Sequence, residues 1–195
     1  MAYIRGKVRD EFIEVAQQIR AKRDEQYGNL YKVADTDLRW VGEVGELCFN
    51  GWAESKTSLP VVWIKENAAG AADFLIGGTP VGLKTVKRRV PPNNRYTAQI
   101  TAKHATEPVD YYFFACYMHE VQEMYLLGGI SREEFLRKAR YYRGGEQVHA
   151  HYRVREGHEI YNIEIGKLTP PLPWLQSLSE SAGTFRRPSE PGTEK

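Results

Sequence analysis

Apolar residues change their spacing several times along this chain, and each change marks a different kind of element. From about Arg9 to Tyr27, Phe12, Val15, Ala16 and Ile19 recur at helical intervals among acidic and basic residues, which predicts an amphipathic surface helix closed by Gly28. A second helix is predicted to open near the cap residues Asp35 and Thr36 and to run through Trp40 to Trp52. Most of its circumference is apolar or glycine, yet Glu43, Glu46, Asn50 and Glu54 project onto one narrow stripe. Taken alone, such a stripe reads as the solvated edge of a packed helix.

The spacing then shortens to that of strands, at residues 61–64, 72–76 and 81–87. Tyr111-Tyr112-Phe113-Phe114-Ala115-Cys116-Tyr117-Met118 is apolar without interruption, the pattern of a central strand buried on both faces rather than of a base-stacking surface. Residues 121–127 predict an adjacent strand, with Gly128-Gly129 ending the hairpin. Ser131-Arg132-Glu133-Glu134 is a capping box that starts a helix reaching about Ala139. A late strand is predicted at 161–165, and Leu168 with Leu172-Pro173-Trp174-Leu175 is expected to fold back onto the body in a proline-interrupted turn or short helix. From Ser179 onward too little apolar surface remains to offset ordering entropy, so residues 179–195 are expected to form a disordered tail after a single domain over 1–178.

At 195 residues the chain is long enough to bury a full core without disulfides or structural metal. A net charge of +2 says nothing about nucleic acid, so local clustering has to carry that question. Cys48 and Cys116 both lie in apolar stretches and share no zinc-type spacing, which suits buried thiols in a reducing compartment. The N-terminus lacks a secretory core and no run approaches the ~20 apolar residues of a membrane helix, so a cytoplasmic protein with no membrane contact is expected.

Against this background two charges stand out. Asp73 heads the strand Asp73-Phe74-Leu75-Ile76, and Lys84 sits inside the apolar run Val81-Gly82-Leu83-Lys84-Thr85-Val86, with Gly77-Gly78-Thr79-Pro80 supplying turn chemistry between them. A hairpin brings both charges to one end of a sheet, and buried charges are costly unless paired, metal-bound or used in chemistry. Asp73 and Glu46 meet the needs of Mg²⁺, which takes one or two carboxylates plus waters and phosphate oxygens. Alternation puts Gly82, Lys84 and Val86 on one face and leaves the carbonyl of Leu83 free to point toward a metal. Lys84 is then placed to orient or deprotonate a water attacking a phosphodiester. The dense basic stretch Lys87, Arg88, Arg89 and Arg95 leads straight out of this region and offers phosphate contacts; its alternative is a soluble loop with edge-protecting charges.

The order of three stretches, Gly42-Glu43-Val44-Gly45-Glu46-Leu47-Cys48-Phe49, Ala72-Asp73-Phe74-Leu75-Ile76 and Val81-Gly82-Leu83-Lys84-Thr85, resembles the PD-(D/E)xK nuclease superfamily over roughly residues 38 to 170. Tyr125 to Phe135 resembles the later strand-to-helix segment of phage and bacterial members. The resemblance implies a restriction-endonuclease-like α/β fold, a mixed central β-sheet flanked by helices. It further implies Glu46 and Asp73 as metal ligands, Lys84 as a catalytic residue, Mg²⁺ or Mn²⁺ as cofactor and DNA as partner. A homodimer would pair two single-strand cuts.

One position departs from the pattern: Gly82 stands two before Lys84, where the superfamily carries Asp or Glu. Either Glu43, one turn from Glu46, supplies the missing ligand, or the chain is a catalytically impaired relative that binds nucleic acid or a protein. His149 and His151 alternate on one face but have no convincing third ligand, and no metal is assigned to them. His104 is a weak candidate near the substrate, equally explained by a surface loop.

Overall fold

The structure, a computed structural model, describes residues 3–28, 38–65, 71–150 and 152–184. Its centre is a six-stranded sheet in the order β1-β7-β6-β4-β3-β2, formed by β1 (Ile4–Lys7), β2 (Val61–Trp63), β3 (Phe74–Ile76), β4 (Thr79–Arg88), β6 (Tyr111–Met118) and β7 (Glu123–Ser131). Within it only β4 and β6 run parallel; every other neighbour pair is antiparallel. A second sheet of three strands, β5 (Thr97–Thr101), β11 (Ile160–Glu164) and β8 (Arg140–Tyr142), lies in the order β5-β11-β8, and β9 (Gln147–His149) with β10 (Tyr152–Arg153) forms a separate hairpin.

Both faces of the six-stranded sheet are covered, which the unbroken apolarity of β6 requires. On one face α2 (Val41–Lys56) and α4 (Pro171–Thr184) bury Phe49, Trp52, Trp174 and Leu175 against Phe74, Val81, Leu83 and Phe113. On the other, α3 (Arg132–Lys138) and the three-stranded sheet bury Phe135, Ile100 and Ile163 against Tyr112, Phe114 and Cys116. The fold is therefore α/β, a mixed sheet flanked by helices. α1 (Asp10–Tyr27) packs along α2 and ends at Gly28, whose φ of +70° is a left-handed stop. Burial pushes the thiols of both Cys48 and Cys116 up to about 12, as expected of unreactive core cysteines.

Three expectations need correction. α2 starts at Val41 after Trp40, without a side-chain cap bond; the predicted caps Asp35 and Thr36 lie outside the described residues. Gly128-Gly129 does not end a strand, because β7 continues to Ser131, with a register shift opposite Phe114/Ala115. Those glycines admit the C-terminal segment: a Cβ on Gly129 would sit 2.4 Å from Trp174 Nε1, and one on Gly128 2.2 Å from the Thr169 carbonyl. Gly129 also exchanges backbone bonds with Thr169 in both directions, at 3.0 and 2.9 Å. Finally, α4 carries the ordered chain past Ser179 to Thr184, since Trp174, Leu175 and Leu178 bury into the core; residues 185–195 lie outside the description. β1, β5 and β8 to β10 are short or half-exposed strands that apolar spacing did not reveal. The Ser131 cap is as expected, its hydroxyl accepting from Glu134 N at 3.2 Å.

The contact that sets the height of α2 over the sheet is Gly45 on Thr85. A Cβ on Gly45 would lie 1.9 Å from Thr85 Oγ1 and 2.8 Å from its Cβ, so the helix approaches β4 this closely only with glycine. Gly45→Ala is expected to destabilise the fold by roughly 1–3 kcal/mol despite the gain in helix propensity, with part of the loss recovered by Thr85→Ala; denaturant titration of the two single variants and the double variant checks this.

Candidate active site at the end of the β3–β4 hairpin

Gly77 and Gly78, with φ of +58° and +88°, make the two-residue turn that joins Ile76 to Thr79. The pairing Ile76↔Thr79, Leu75↔Pro80 and Phe74↔Val81 then brings Asp73 level with Gly82. Two bonds hold it there: Asp73 N donates to Val81 O at 3.0 Å, and Leu83 N donates to Asp73 Oδ2 at 2.6 Å. β3 stops at this level while β4 continues to Arg88, so Lys84 stands just beyond the end of its neighbour, at a step in the sheet. The hairpin predicted from the turn residues is thus present, and it gathers Asp73, Gly82 and Lys84.

Asp73 is held under electrostatic stress. Loss of solvation pushes its carboxyl up to about 7; Lys84 and the Leu83 amide counteract this, while the charges of Glu46 and Glu107 add to it. Lys84 itself pairs with Glu107, Nζ to Oε2 at 3.0 Å, with side chains only 18% and 3% exposed. Glu107 Oε1 meets His104 Nδ1. Although burial raises the Glu107 carboxyl, its bonds to His104 and Lys84 outweigh that and hold it below its usual range. The 3-10 helix over Ala102–Thr106, which carries His104 and is followed by Glu107 at its C-terminal cap, is fixed from outside: Tyr112 OH donates to His104 O at 2.6 Å, and Arg132 Nε and Nη2 donate to Ala105 O at 2.9 and 2.6 Å.

The stripe on α2 has a different partner from the one expected. Glu43 and Glu46 are buried, and α1 lays two arginines across them. Arg20 binds Glu43, Arg23 Nη1 bridges Glu43 (2.8 Å) and Glu46 (3.0 Å), and Arg23 Nη2 reaches Glu46 Oε2 at 2.9 Å. Trp63 Nε1 donates to the same Glu46 oxygen at 2.8 Å. Glu43 Oε1 is thus engaged by α1, while Glu46 reaches Asp73 through its charge. Leu83 contributes its amide to Asp73, and its side chain packs in the core beneath α2.

Of the basic stretch, Arg88 is a brace: it donates to Thr97 O at 2.6 Å and lies over the Tyr96 ring at 5.2 Å. Lys87, Arg89 and Arg95 are exposed, and Arg95 lines a shallow depression with Tyr3, Pro92, Asn93 and Asn94. His149 is exposed on β9, and His151 lies outside the described residues.

Sequence reading missed Glu107, Arg20, Arg23 and Trp63. Two spacings carried a signal: His104 and Glu107 are three apart, and Arg20 and Arg23 match the three-residue step of Glu43 and Glu46. Among the described residues no group of three or more His, Cys, Asp or Glu side chains is arranged to hold a metal by itself. Compared with known protein families and with curated proteins, the chain matches no family model and no curated sequence.

The raised Asp73 carboxyl has a thermodynamic signature. Its folded value of about 7 exceeds its ordinary 3.8, so the folded state holds the proton more tightly, and the penalty for ionising Asp73 grows as pH rises from about 4 to 7. In a chelator-containing buffer Asp73→Asn is expected to stabilise the protein by roughly 1–3 kcal/mol above pH 7, after allowance for solvent screening of a half-buried group, and to leave it unchanged near pH 4. Thermal melts across that range measure the difference, and a gain that does not vary with pH contradicts it.

Proposed function

We propose that the chain is a Mg²⁺-dependent phosphodiester hydrolase acting on DNA, with Asp73 and Lys84 at its centre. The observation that supports this reading is the convergence of a desolvated carboxylate and a largely buried ammonium group at the step where β3 ends and β4 runs on. Stability alone does not favour such a placement, since Asp73 resists ionisation near neutral pH. A divalent cation relieves that stress.

The donor set fits Mg²⁺. Asp73 supplies a hard oxygen of the kind Mg²⁺ takes, and waters and substrate oxygens would complete its shell. When bound, Mg²⁺ supplies charge stabilisation at the phosphate oxygens and lowers the pKa of a coordinated water. Asp73 would hold the cation, and the Leu83 amide fixes which way that carboxylate faces. Lys84, anchored by Glu107, presents a fixed positive charge toward the phosphate as negative charge develops there. Lys87, Arg89 and Arg95 follow on the same strand and its loop, where they contact the backbone of the nucleic acid and make affinity salt-dependent.

One observation favours a second reading, a non-catalytic DNA-binding module: Arg23 already occupies Glu46 with a two-pronged ion pair, and Gly82 offers no acid of its own. Nicking of supercoiled plasmid separates the two. The unmodified protein is expected to nick in Mg²⁺ or Mn²⁺ and not in EDTA, with Asp73→Ala and Lys84→Ala each at least 100-fold slower, in keeping with the worth of one electrostatic stabiliser. Salt-dependent binding with no nicking in either metal supports the binding module instead.

A further inference from the structure

The loop that joins β4 to β5 folds back against the residue that precedes β1. Asn93, Asn94 and Arg95 rim a depression of about 510 Å³ there, and Tyr3 and Pro92 form its other walls. The loop is pinned on several sides. Asn94 O accepts from Gly166 N at 2.9 Å, Tyr96 O accepts from Ile165 N at 2.7 Å, and the Arg88 guanidinium lies over the Tyr96 ring. Gly166 permits the first of these bonds, since a Cβ there would stand 3.0 Å from the Asn94 carbonyl oxygen. Tyr3 OH donates to Asn94 Oδ1 at 2.8 Å and ties the loop to the start of β1.

What this loop turns toward solvent is decided by what it uses internally. Asn93 Oδ1 accepts from Arg95 N at 2.9 Å and from Tyr96 N at 3.2 Å, while Asn94 Oδ1 is taken by Tyr3. Both amide oxygens are thus consumed, and the Nδ2 groups of two exposed asparagines remain as donors. The exposed guanidinium of Arg95 adds its N–H fork at the same rim. A rim of donors with a positive charge selects an anion that offers several oxygens, and phosphate is the common one. Tyr3 and Tyr96 pack in the same cluster as Val86, which shares a face of β4 with Lys84, so the depression and Lys84 lie on one side of the central sheet. From Lys84 to Arg88 the strand runs about 13 Å, so a ligand that engages both places is extended. A nucleic-acid strand, with a phosphate at every step, meets that demand.

We infer that the depression between Tyr3 and the β4–β5 loop is a phosphodiester-binding subsite for a nucleic-acid strand, with the Nδ2 groups of Asn93 and Asn94 and the Arg95 guanidinium as its donors. This rests on the nucleic-acid half of the reading above and is independent of the cation and of hydrolysis. Arg95 then acts within a shaped site and not as a lone surface charge, and the Tyr3 hydroxyl sets which way the Asn94 amide faces.

Fluorescence anisotropy with a labelled DNA duplex in EDTA, over a series of KCl concentrations, tests this on the full chain. Asn93→Asp and Asn94→Asp keep the oxygen that accepts the internal hydrogen bonds and turn the outward donor into a carboxylate oxygen. Each is expected to weaken DNA binding about tenfold, while Gln18→Glu, the same change of charge on the exposed side of α1, alters it by less than about twofold. Arg95→Ala is expected to lower the slope of log affinity against log salt by about 1. Thermal melts establish that each variant folds; should Asn93→Asp fail to do so, Asn94→Asp, which leaves the bonds of the turn untouched, carries the test. Wild-type affinity and salt slope in the folded variants overturn the inference, including the case in which they lose inorganic phosphate but not DNA, which makes the depression a small-anion site. The hydrolase reading survives that result, because plasmid nicking by the unmodified protein reads it separately. Absence of DNA binding by the unmodified chain removes both.

Discussion

The parallel pairing of β4 with β6 is the constraint from which the site follows. Eight residue pairs, from Val81↔Tyr111 to Arg88↔Met118, run in the same direction, so the chain leaving β4 at Arg88 must travel back the full length of the strand before β6 can begin. That return passes through β5 and the 3-10 turn and ends where Asp110 N bonds Pro80 O, beside the start of β4. Glu107 comes three residues earlier. It therefore arrives over Gly82 and Lys84, on the face opposite the one covered by α2.

Two groups of charge result, and they differ in how well they are neutralised. Between α1 and α2, Arg20 and Arg23 meet Glu43 and Glu46 with several short bonds, a lattice that ties the N-terminal helix down over a buried carboxylate pair. Breaking one partner of such a pair strands the other, which is why the lattice locks the helices together even if its net contribution is small. At the end of the hairpin, Lys84 and His104 both serve Glu107, while Asp73 accepts from the Leu83 amide and feels the more distant charge of Lys84.

The helix α2 connects the two groups mechanically. Its Gly45 rides on Thr85, next to Lys84, while Glu46 faces α1 and Trp63. No helix among the described residues is long and apolar enough to cross a membrane.

Local sequence determined the hairpin and its two charges, because Gly77-Gly78 dictates a tight primed turn and a turn of known length fixes which residues face each other. It determined as well the buried spine of β6, the Ser131 cap and the extent of α1, each written in spacing or in a few adjacent residues. Three things were decided only by tertiary structure. β7 runs through Gly128-Gly129, because those glycines make room for Thr169 and Trp174, some 40 positions away in the chain. Glu43 and Glu46 turned out to serve α1, since a polar stripe looks the same whether it faces water, a metal or an arginine pair. Glu107 became the partner of Lys84 because a parallel crossover carries it there; its three-residue step from His104 marks that local pair, but nothing in the neighbouring residues names the lysine it meets.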